Sequence, residues 1–230
     1  MRLLVRFQLV GLARHVGTAF VALPLMGVAV CPSAYAQEPP PRLPIVVFDL
    51  HGTLPNFPDD PPLADSRGLS QGQLPGLGIG GTAGVHVYLL KWRAVTFGIG
   101  GQMVRARAHR TPVASSGQTT ILAPVTERFA SIAPQLSFNF GTGDGWSYLS
   151  GGIATSTWSV VPDGASPAPS DEERLKTINY GGGARWFAKP HLAFSFDVRF
   201  YAIDPGTPSG SRPASPRTTM VVVGAGISVK

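Results

Sequence analysis

The residues that could carry out chemistry are few and scattered in this chain of 230 residues, which has 28 glycines, 22 prolines and one cysteine. Downstream of residue 36 the histidines are His51, His86, His109 and His191, and their spacing matches no metal-binding motif. Cys31 lies upstream of that point, so no cysteine remains for a zinc site. The glycines alternate with other residues instead of forming a phosphate-binding loop, and no serine lies in a nucleophile elbow. The sequence therefore predicts no catalytic residue, no metal site and no cofactor.

A short run at residues 46–54, VVFDLHGTL, resembles the first motif of the haloacid-dehalogenase-type phosphatases. That family needs a nucleophilic aspartate, here Asp49, and a second aspartate two positions later, where this chain has His51. The family also needs a helix after this motif, but residues 55–62 are rich in proline, which breaks helices. We therefore interpret residues 46–54 as a β-strand and predict that the chain is not an enzyme.

The first 36 residues have the organisation of a secretory signal peptide. Three arginines lie near the start, an apolar stretch covers residues 16–31, and the sequence AYA at residues 34–36 closes the segment. The apolar stretch is shorter than a transmembrane helix requires. We predict that residues 1–36 are cleaved on export and that residues 37–44 form a proline-rich N-terminal lead.

Without those residues, 194 remain, with a formal net charge of +3 and no cysteine. An exported chain without disulfides must be held together by hydrogen bonds and by burial of side chains. Charged residues make up 14% of the sequence, well below the ~25% of soluble domains. The basic and aromatic motifs of nucleic-acid binders are missing, and no apolar run after residue 36 reaches the ~18 residues of a membrane-spanning helix. An all-β protein is the class that remains.

Eight stretches of about 9–14 residues alternate between apolar and small or polar side chains, the period-2 pattern of a β-strand. Long connections rich in proline and glycine (about 54–81, 109–124, 161–173 and 204–216) alternate with short turns (91–93, 141–145 and 188–191). Strands of this length can cross a membrane at a tilt, and short turns at one end with long loops at the other are typical of outer-membrane barrels. We predict an eight-stranded, antiparallel, up-and-down transmembrane β-barrel over residues 45–230.

The side chains on the two faces decide which one meets lipid. One face is large and aromatic, for example in Phe194, Phe196 and Phe200, while the opposite face carries glycine, serine, threonine and asparagine. An eight-stranded barrel encloses only enough space for its own small side chains, which favours the small face inside and the apolar face outside. Aromatic residues near strand ends predict an interfacial girdle; these are Trp92, Trp146, Trp186 and Phe187.

Residues 181–187 (GGGARWF) and 192–201 (LAFSFDVRFY) resemble a strand pair of small OmpA/OmpX-type outer-membrane barrels, and residues 146–152 (WSYLSGG) resemble another strand of that group. The resemblance implies an eight-stranded barrel in the bacterial outer membrane, inserted there by the outer-membrane assembly machinery. Such chains usually end in an aromatic residue, whereas this one ends in Lys230. That departure bears on assembly and not on the fold.

One polar cluster is predicted inside the barrel. Asn179, Arg185, Asp197 and Arg199 should point inward from neighbouring strands, so that an arginine–aspartate pair forms in the lumen. The favoured interpretation is a structural plug, and the alternative is a gate or an ion path. On this prediction Asp197 is the partner of both arginines, so Asp197→Ala leaves both unpaired.

Arg105, Arg107 and Arg110 lie at the end of the third predicted strand, where they could meet anionic lipopolysaccharide or form the solvated base of a loop. The predicted partners are therefore outer-membrane lipids and lipopolysaccharide, with no nucleic acid, and a monomer is expected. The favoured function is a structural or surface-interaction role in which the outer loops carry any recognition. Two alternatives stay open: a soluble periplasmic barrel of lipocalin type that binds an apolar ligand, and a narrow pore.

Overall fold

The computed structural model describes residues 46–112, 122–141 and 145–230, and these form a closed barrel. The predicted signal peptide, the proline-rich lead, much of the second loop and the middle of the turn at 141–145 lie outside the described residues. The elements are β1 (Val46–Asn56), α1 (Pro61–Arg67), a 3₁₀ turn (Gln71–Gln73), β2 (Ile79–Trp92), β3 (Val95–Arg110), β4 (Val125–Phe140), β5 (Gly145–Pro162), α2 (Pro169–Glu172), β6 (Leu175–Lys189), β7 (Leu192–Ile203) and β8 (Thr218–Val229).

Each strand pairs in antiparallel fashion with the next strand along the chain, and β1 pairs with β8 to close the barrel. The predicted fold class is confirmed. The connections are long at one end: loop 1 (57–78), loop 2 (111–124), loop 3 (163–174) and loop 4 (204–217). Closure gives every strand two partners, so no sheet edge exposes unpaired backbone N–H and C=O groups to lipid.

Alternation of side chains between the two faces explains why these segments form barrel strands. On β4 the outward residues include Ile132 (65% exposed) and Leu136 (59%), whereas Gln135 and Ser137 are buried inside. A bulge between Tyr88 and residue 90 breaks this alternation in β2, so that both leucines at positions 89 and 90 face outward. The middle strands are longer than the predicted length of about 9–14 residues, because they continue past the lipid-facing part of the wall. The longest of them, β5, has 18 residues.

Loop 1 contains a short helix that the sequence did not reveal. The Asp60 side chain accepts a hydrogen bond from the backbone N–H of Leu63 (3.0 Å), and Gly68 ends α1 in the left-handed conformation (φ 67°). Prolines occupy the first turn, where their missing N–H costs nothing. A helix of seven residues is too short to show an apolar period, so no helix was predicted between residues 54 and 81.

The interior has two layers of different chemistry. At the loop end, side chains from loop 1 and the strands form an apolar layer, here called the mouth cluster; its largest members are Phe57, Leu63, Leu74, Phe129, Trp158, Tyr201, Ile203 and Met220. Polar and charged side chains fill most of the interior below it, and a small apolar group of Val47, Tyr88 and Trp146 lies at the far end. The mouth cluster therefore closes the barrel at the loop end with residues from its own first loop.

The far end of the barrel holds two aromatic residues that the girdle prediction misplaced, Trp146 and Phe187. Trp146 is 3% exposed and packs against Phe187 inside the barrel, with ring centroids 4.7 Å apart. Trp92 and Trp186 do face outward, at 63% and 56% exposure. In the pairing of β5 with β6, Gly145 lies opposite the outward-facing Trp186. Trp146 therefore lies opposite the buried Arg185 and points into the barrel. It belongs to the interior packing.

Glycine at position 152 allows the backbones of β4 and β5 to approach each other closely. A methyl group built on Gly152 of β5 would lie 1.8 Å from the carbonyl oxygen of Pro134 on β4. We expect Gly152→Ala to destabilise the barrel by about 3 kcal/mol or more, because the backbone itself must move. The measurement is the fraction that refolds into detergent micelles, read from the faster-migrating band of unboiled protein. Gly52→Ala is the matched control, since its nearest atom is 3.9 Å away; equal refolding of the two variants would contradict this account.

Candidate functional site

An arginine–aspartate bridge crosses the interior in the half of the barrel away from the loops. Arg185 on β6 donates from Nε to Oδ1 of Asp49 (2.8 Å) and from Nη2 to Oδ2 (2.7 Å). The strands β7 and β8 separate β6 from β1, so this bidentate pair spans the lumen and is not a contact between neighbours. Ser228 donates a third hydrogen bond to Asp49 (2.6 Å). Charge-assisted bonds of this kind are the strong ones, and here they tie distant parts of the wall together.

Other strands complete the environment of Arg185. Its guanidinium lies 3.9 Å from the ring centre of Tyr148, a cation–π contact from β5. Its Nη1 atom donates to the Tyr88 hydroxyl (3.3 Å) and to the Asn139 side chain (3.4 Å). Arg185 is fully buried, so a single side chain holds groups from β1, β2, β4 and β5 together.

A second polar group lies around Arg199 of β7. Its Nε is 2.9 Å from Oδ1 of Asp197, and its Nη atoms donate to Asn179 (3.1 Å) and Ser150 (2.6 Å). The Tyr148 hydroxyl donates to Oδ2 of Asp197 (2.6 Å), so the same tyrosine contacts both arginine groups. The two groups form one continuous polar network, here called the lumen network.

The structure places all four residues of the predicted cluster inside the barrel, at 0–3% exposure, but pairs them differently from the expectation. Asn179 and Asp197 both contact Arg199, whereas Arg185 takes Asp49 as its partner. The prediction that Asp197 serves both arginines was therefore wrong. It failed because only barrel closure brings β1 within reach of β6.

The four-residue cluster predicted from the sequence did not contain Gln102, Gln135 and His86, which also belong to the lumen network. Gln135 donates to Gln102 and to Asn179, each at 3.2 Å, and His86 lies 3.1 Å from Gln135. These residues occupy inward positions of the period-2 pattern, and this alternation was the feature of the sequence that could have placed them in the lumen. Within the described residues no group of three or more histidine, aspartate or glutamate side chains could hold a metal ion.

The loop end carries a clasp between loops 1 and 3. Arg67 of α1 donates to the Ser170 hydroxyl and to the Ser170 carbonyl (3.3 Å), and its Nη1 lies 3.5 Å from Oδ1 of Asp171. Burial lowers the pKa of the Arg67 guanidinium, and Asp171 opposes that shift. Asp171 in turn accepts from the backbone N–H of Val160 (2.9 Å). The clasp fixes α1 over the mouth cluster.

The outer wall decides what surrounds this barrel. From Phe140 to Ile132 the outward residues of β4 are apolar, and those of β3 are apolar or glycine from Val95 to Met103. Eight residue steps cover about 27 Å along a strand, or about 20 Å along the axis at a ~40° tilt, close to the ~25 Å apolar band of outer-membrane barrels. The polar side chains lie inside. This chain is a transmembrane β-barrel of the outer-membrane type.

The helices of the barrel are short connections. No helix in the described ranges is long and apolar enough to cross a membrane. Comparison with known sequences finds no matching family model and no matching curated protein.

Solved structures similar to the barrel share little of its sequence. Neisserial surface protein A is 14% identical, with a TM-score of 0.49, over 80% of this chain and 95% of that one. Ail, the attachment invasion locus protein of Yersinia pestis, is 10% identical, with a TM-score of 0.49, over 80% of this chain and 96% of that one. The outer membrane protein AlkL is 12% identical, with a TM-score of 0.41, over 87% of this chain and 96% of that one.

Proposed function

We propose that this chain is a non-enzymatic, non-conducting barrel of the small OmpA/OmpX type, with a structural or surface-interaction role in the bacterial outer membrane. The observation that carries the proposal is the double occlusion of the lumen. The mouth cluster closes the loop end, and the lumen network crosses the other half of the barrel. The barrel is inserted as a monomer by the outer-membrane assembly machinery and is surrounded by outer-membrane lipids and lipopolysaccharide.

The arrangement of polarity disfavours both alternatives. A lipocalin-like barrel keeps large apolar residues inside and polar ones in water, whereas Phe194 is 65% exposed on the outer wall here and Arg199 is buried inside. A narrow pore needs a continuous aqueous path, but Arg185 and Asp49 meet across the lumen. Recognition is left to the surface of the long loops.

The loop surface is suited to recognition because part of it is ordered. The Arg67 clasp joins loop 1 to loop 3, and Arg110 of β3 donates to the carbonyl of Leu74 in loop 1 (3.0 Å). The Glu173 carboxylate of loop 3 accepts a hydrogen bond from the backbone N–H of Thr207 in loop 4 at 3.0 Å. A prearranged surface loses less entropy when a partner binds than a flexible one does.

Two measurements on the same preparation test the proposal. Membrane fractions are run on detergent gels with and without boiling, and the purified protein is added to planar lipid bilayers. We expect a faster band in unboiled outer-membrane samples, because the closed barrel stays folded in detergent, and no stepwise current. A well-known eighteen-stranded porin in the same bilayers is the positive control for conduction.

Each contrary result points to a different alternative. A soluble protein without a mobility shift would mean that the faces are reversed and that a ligand should be sought inside the barrel. Discrete current steps from a heat-modifiable protein would favour the pore.

A further inference from the structure

Three arginines lie together on the outer wall just above the apolar residues, and they are here called the arginine patch. Arg105 and Arg107 project outward from β3 and Arg128 from β4, and all three are exposed. On β3, Arg105 is the next outward residue after Met103, and on β4 only Ala130 lies between Arg128 and Ile132 on the outward face. Since long loops face the exterior in such barrels, the arginine patch lies at the headgroup level of the outer leaflet.

The register of the strands places two of these charges side by side. Arg107 is the direct cross-strand partner of Arg128, and the Cβ atoms of such partners are ~4.5–5.5 Å apart. Like charges in this position repel each other. In the part of the chain that the structure describes, no carboxylate lies within 4.0 Å of the three guanidinium groups. An external anion between the two guanidinium groups would relieve this repulsion, and guanidinium binds phosphate through paired hydrogen bonds.

The wall around the arginine patch leaves space for such an anion. Arg105 has Gly81 as its partner on β2 and Ala130 on β4, so only small residues flank it. A recess of about 360 Å³ opens between the three arginines and Ile79. A second recess of about 460 Å³ on the other side of Arg105 also contains Arg174. Two adjoining basic recesses suit a headgroup that carries more than one phosphate.

An apolar groove lies in the membrane directly below. This groove of about 550 Å³ lies between Val85, Leu136 and Gly151. Pro134, which also lines it, pairs with Gly101 of β3. Gly101 is four residues below Arg105, or about 13 Å along the strand. A wall inside the hydrocarbon contacts acyl chains, so this groove is open to the acyl chain of a lipid.

We propose that these features form one binding site for lipopolysaccharide, with its phosphates at the arginine patch and an acyl chain in the groove below. The phosphate between Arg107 and Arg128 relieves their repulsion, while Arg105 and Arg174 contact a further phosphate of the same headgroup. Lipopolysaccharide is favoured over a phosphoglycerolipid because the basic surface extends over two recesses. The site rests on the proposed outer-membrane function and makes it more specific.

Native mass spectrometry of the purified barrel in neutral detergent tests the site. The added probes are lipopolysaccharide, phosphatidylglycerol and inorganic pyrophosphate. We expect lipopolysaccharide to bind most tightly, and the Arg107→Gln/Arg128→Gln variant to bind it about tenfold more weakly, because bonds to a charged group are lost. Arg212→Gln/Arg217→Gln is the matched control. It removes two charges from loop 4, on the opposite side of the barrel, and should bind lipopolysaccharide normally.

A charge reversal separates binding from structure. Arg128→Glu places opposite charges across the strand pair, so we expect the lipid-free barrel to melt at a higher temperature while lipopolysaccharide binding is lost. A loss of stability without any change in binding would assign these arginines a structural role. If the double variant refolds poorly, lipopolysaccharide binding can still be measured on the Arg128→Glu variant.

Several outcomes would overturn the proposal. They are undiminished binding to the double variant, binding of phosphatidylglycerol as tight as that of lipopolysaccharide, and full competition by pyrophosphate, which has no acyl chain. The mobility shift of unboiled wild-type protein is measured in parallel. If that shift is missing, the proposed function has failed; if it is present and binding is not, only the lipid site has failed.

Discussion

Asp49→Ala is expected to lower the free energy of unfolding of the barrel by about 3–5 kcal/mol, because it leaves the buried charge of Arg185 without its counterion. Asp49 is the acceptor for two bonds from Arg185 and one from Ser228, and it is 7% exposed. Removing one partner of such a pair costs more than the pair contributes, since water cannot reach the remaining charge. Urea unfolding in lipid vesicles, followed by tryptophan fluorescence, measures the change.

Asp204→Ala is the matched control for this effect. Asp204 pairs with Arg217 at 3.1 Å on the surface, where the two side chains are 42% and 74% exposed, so a change of about 0–1 kcal/mol is expected. Asp197→Ala should fall between the two, because Arg199 keeps its bonds to Asn179 and Ser150. Equal unfolding midpoints for the Asp49 and Asp204 variants would show that the bridge across the lumen does not hold the barrel together.

The second large effect is expected at the loop end. Leu63→Asp should release loop 1 from the mouth while the barrel stays folded, because the substitution places a carboxylate in a fully buried apolar position. Burial of even a neutral polar group without a partner costs about 1–3 kcal/mol. Trypsin reports the release, since Arg67 is buried in the clasp and cannot enter a protease site while the loop is packed. We expect cleavage after Arg67 to become at least about tenfold faster, as a loss of 1.4 kcal/mol implies.

The control for loop release lies in the same loop. Leu77 is 67% exposed, so Leu77→Asp introduces the same charge without burying it and should leave cleavage after Arg67 unchanged. Both variants should keep the mobility shift of the folded barrel. If Leu63→Asp is as resistant to trypsin as the wild type, the mouth cluster does not hold α1 in place.

The aspartate that supports the lumen network was visible in the sequence but could not be interpreted there. Asp49 lies in a segment that resembles a phosphatase motif, and the missing second aspartate and the following prolines argued against that activity. Its inward position on β1 followed from the alternation of residues 46–51. Its partner did not, because Arg185 lies 136 positions later in the chain and on a strand that does not touch β1.

The closure at the loop end was equally hidden. Residues 54–81 look like a long polar connection, since prolines and glycines dominate them. The apolar residues that enter the barrel are few and irregularly spaced; Phe57, Leu63 and Leu74 share no period. The burial of Arg67 was similarly unpredictable, because its partners Ser170 and Asp171 belong to another loop.

The sequence by itself determined the number of strands, their antiparallel order and the inverted polarity of the wall. These properties depend on alternation between neighbouring residues, which can be observed along the chain without knowledge of the fold. Only the tertiary structure decided that Asp49 meets Arg185, that Trp146 lies inside, that α1 closes the mouth and that Arg107 stands opposite Arg128. Such contacts depend on the stagger at which eight strands close into a barrel, a property of the whole sheet and not of any one segment.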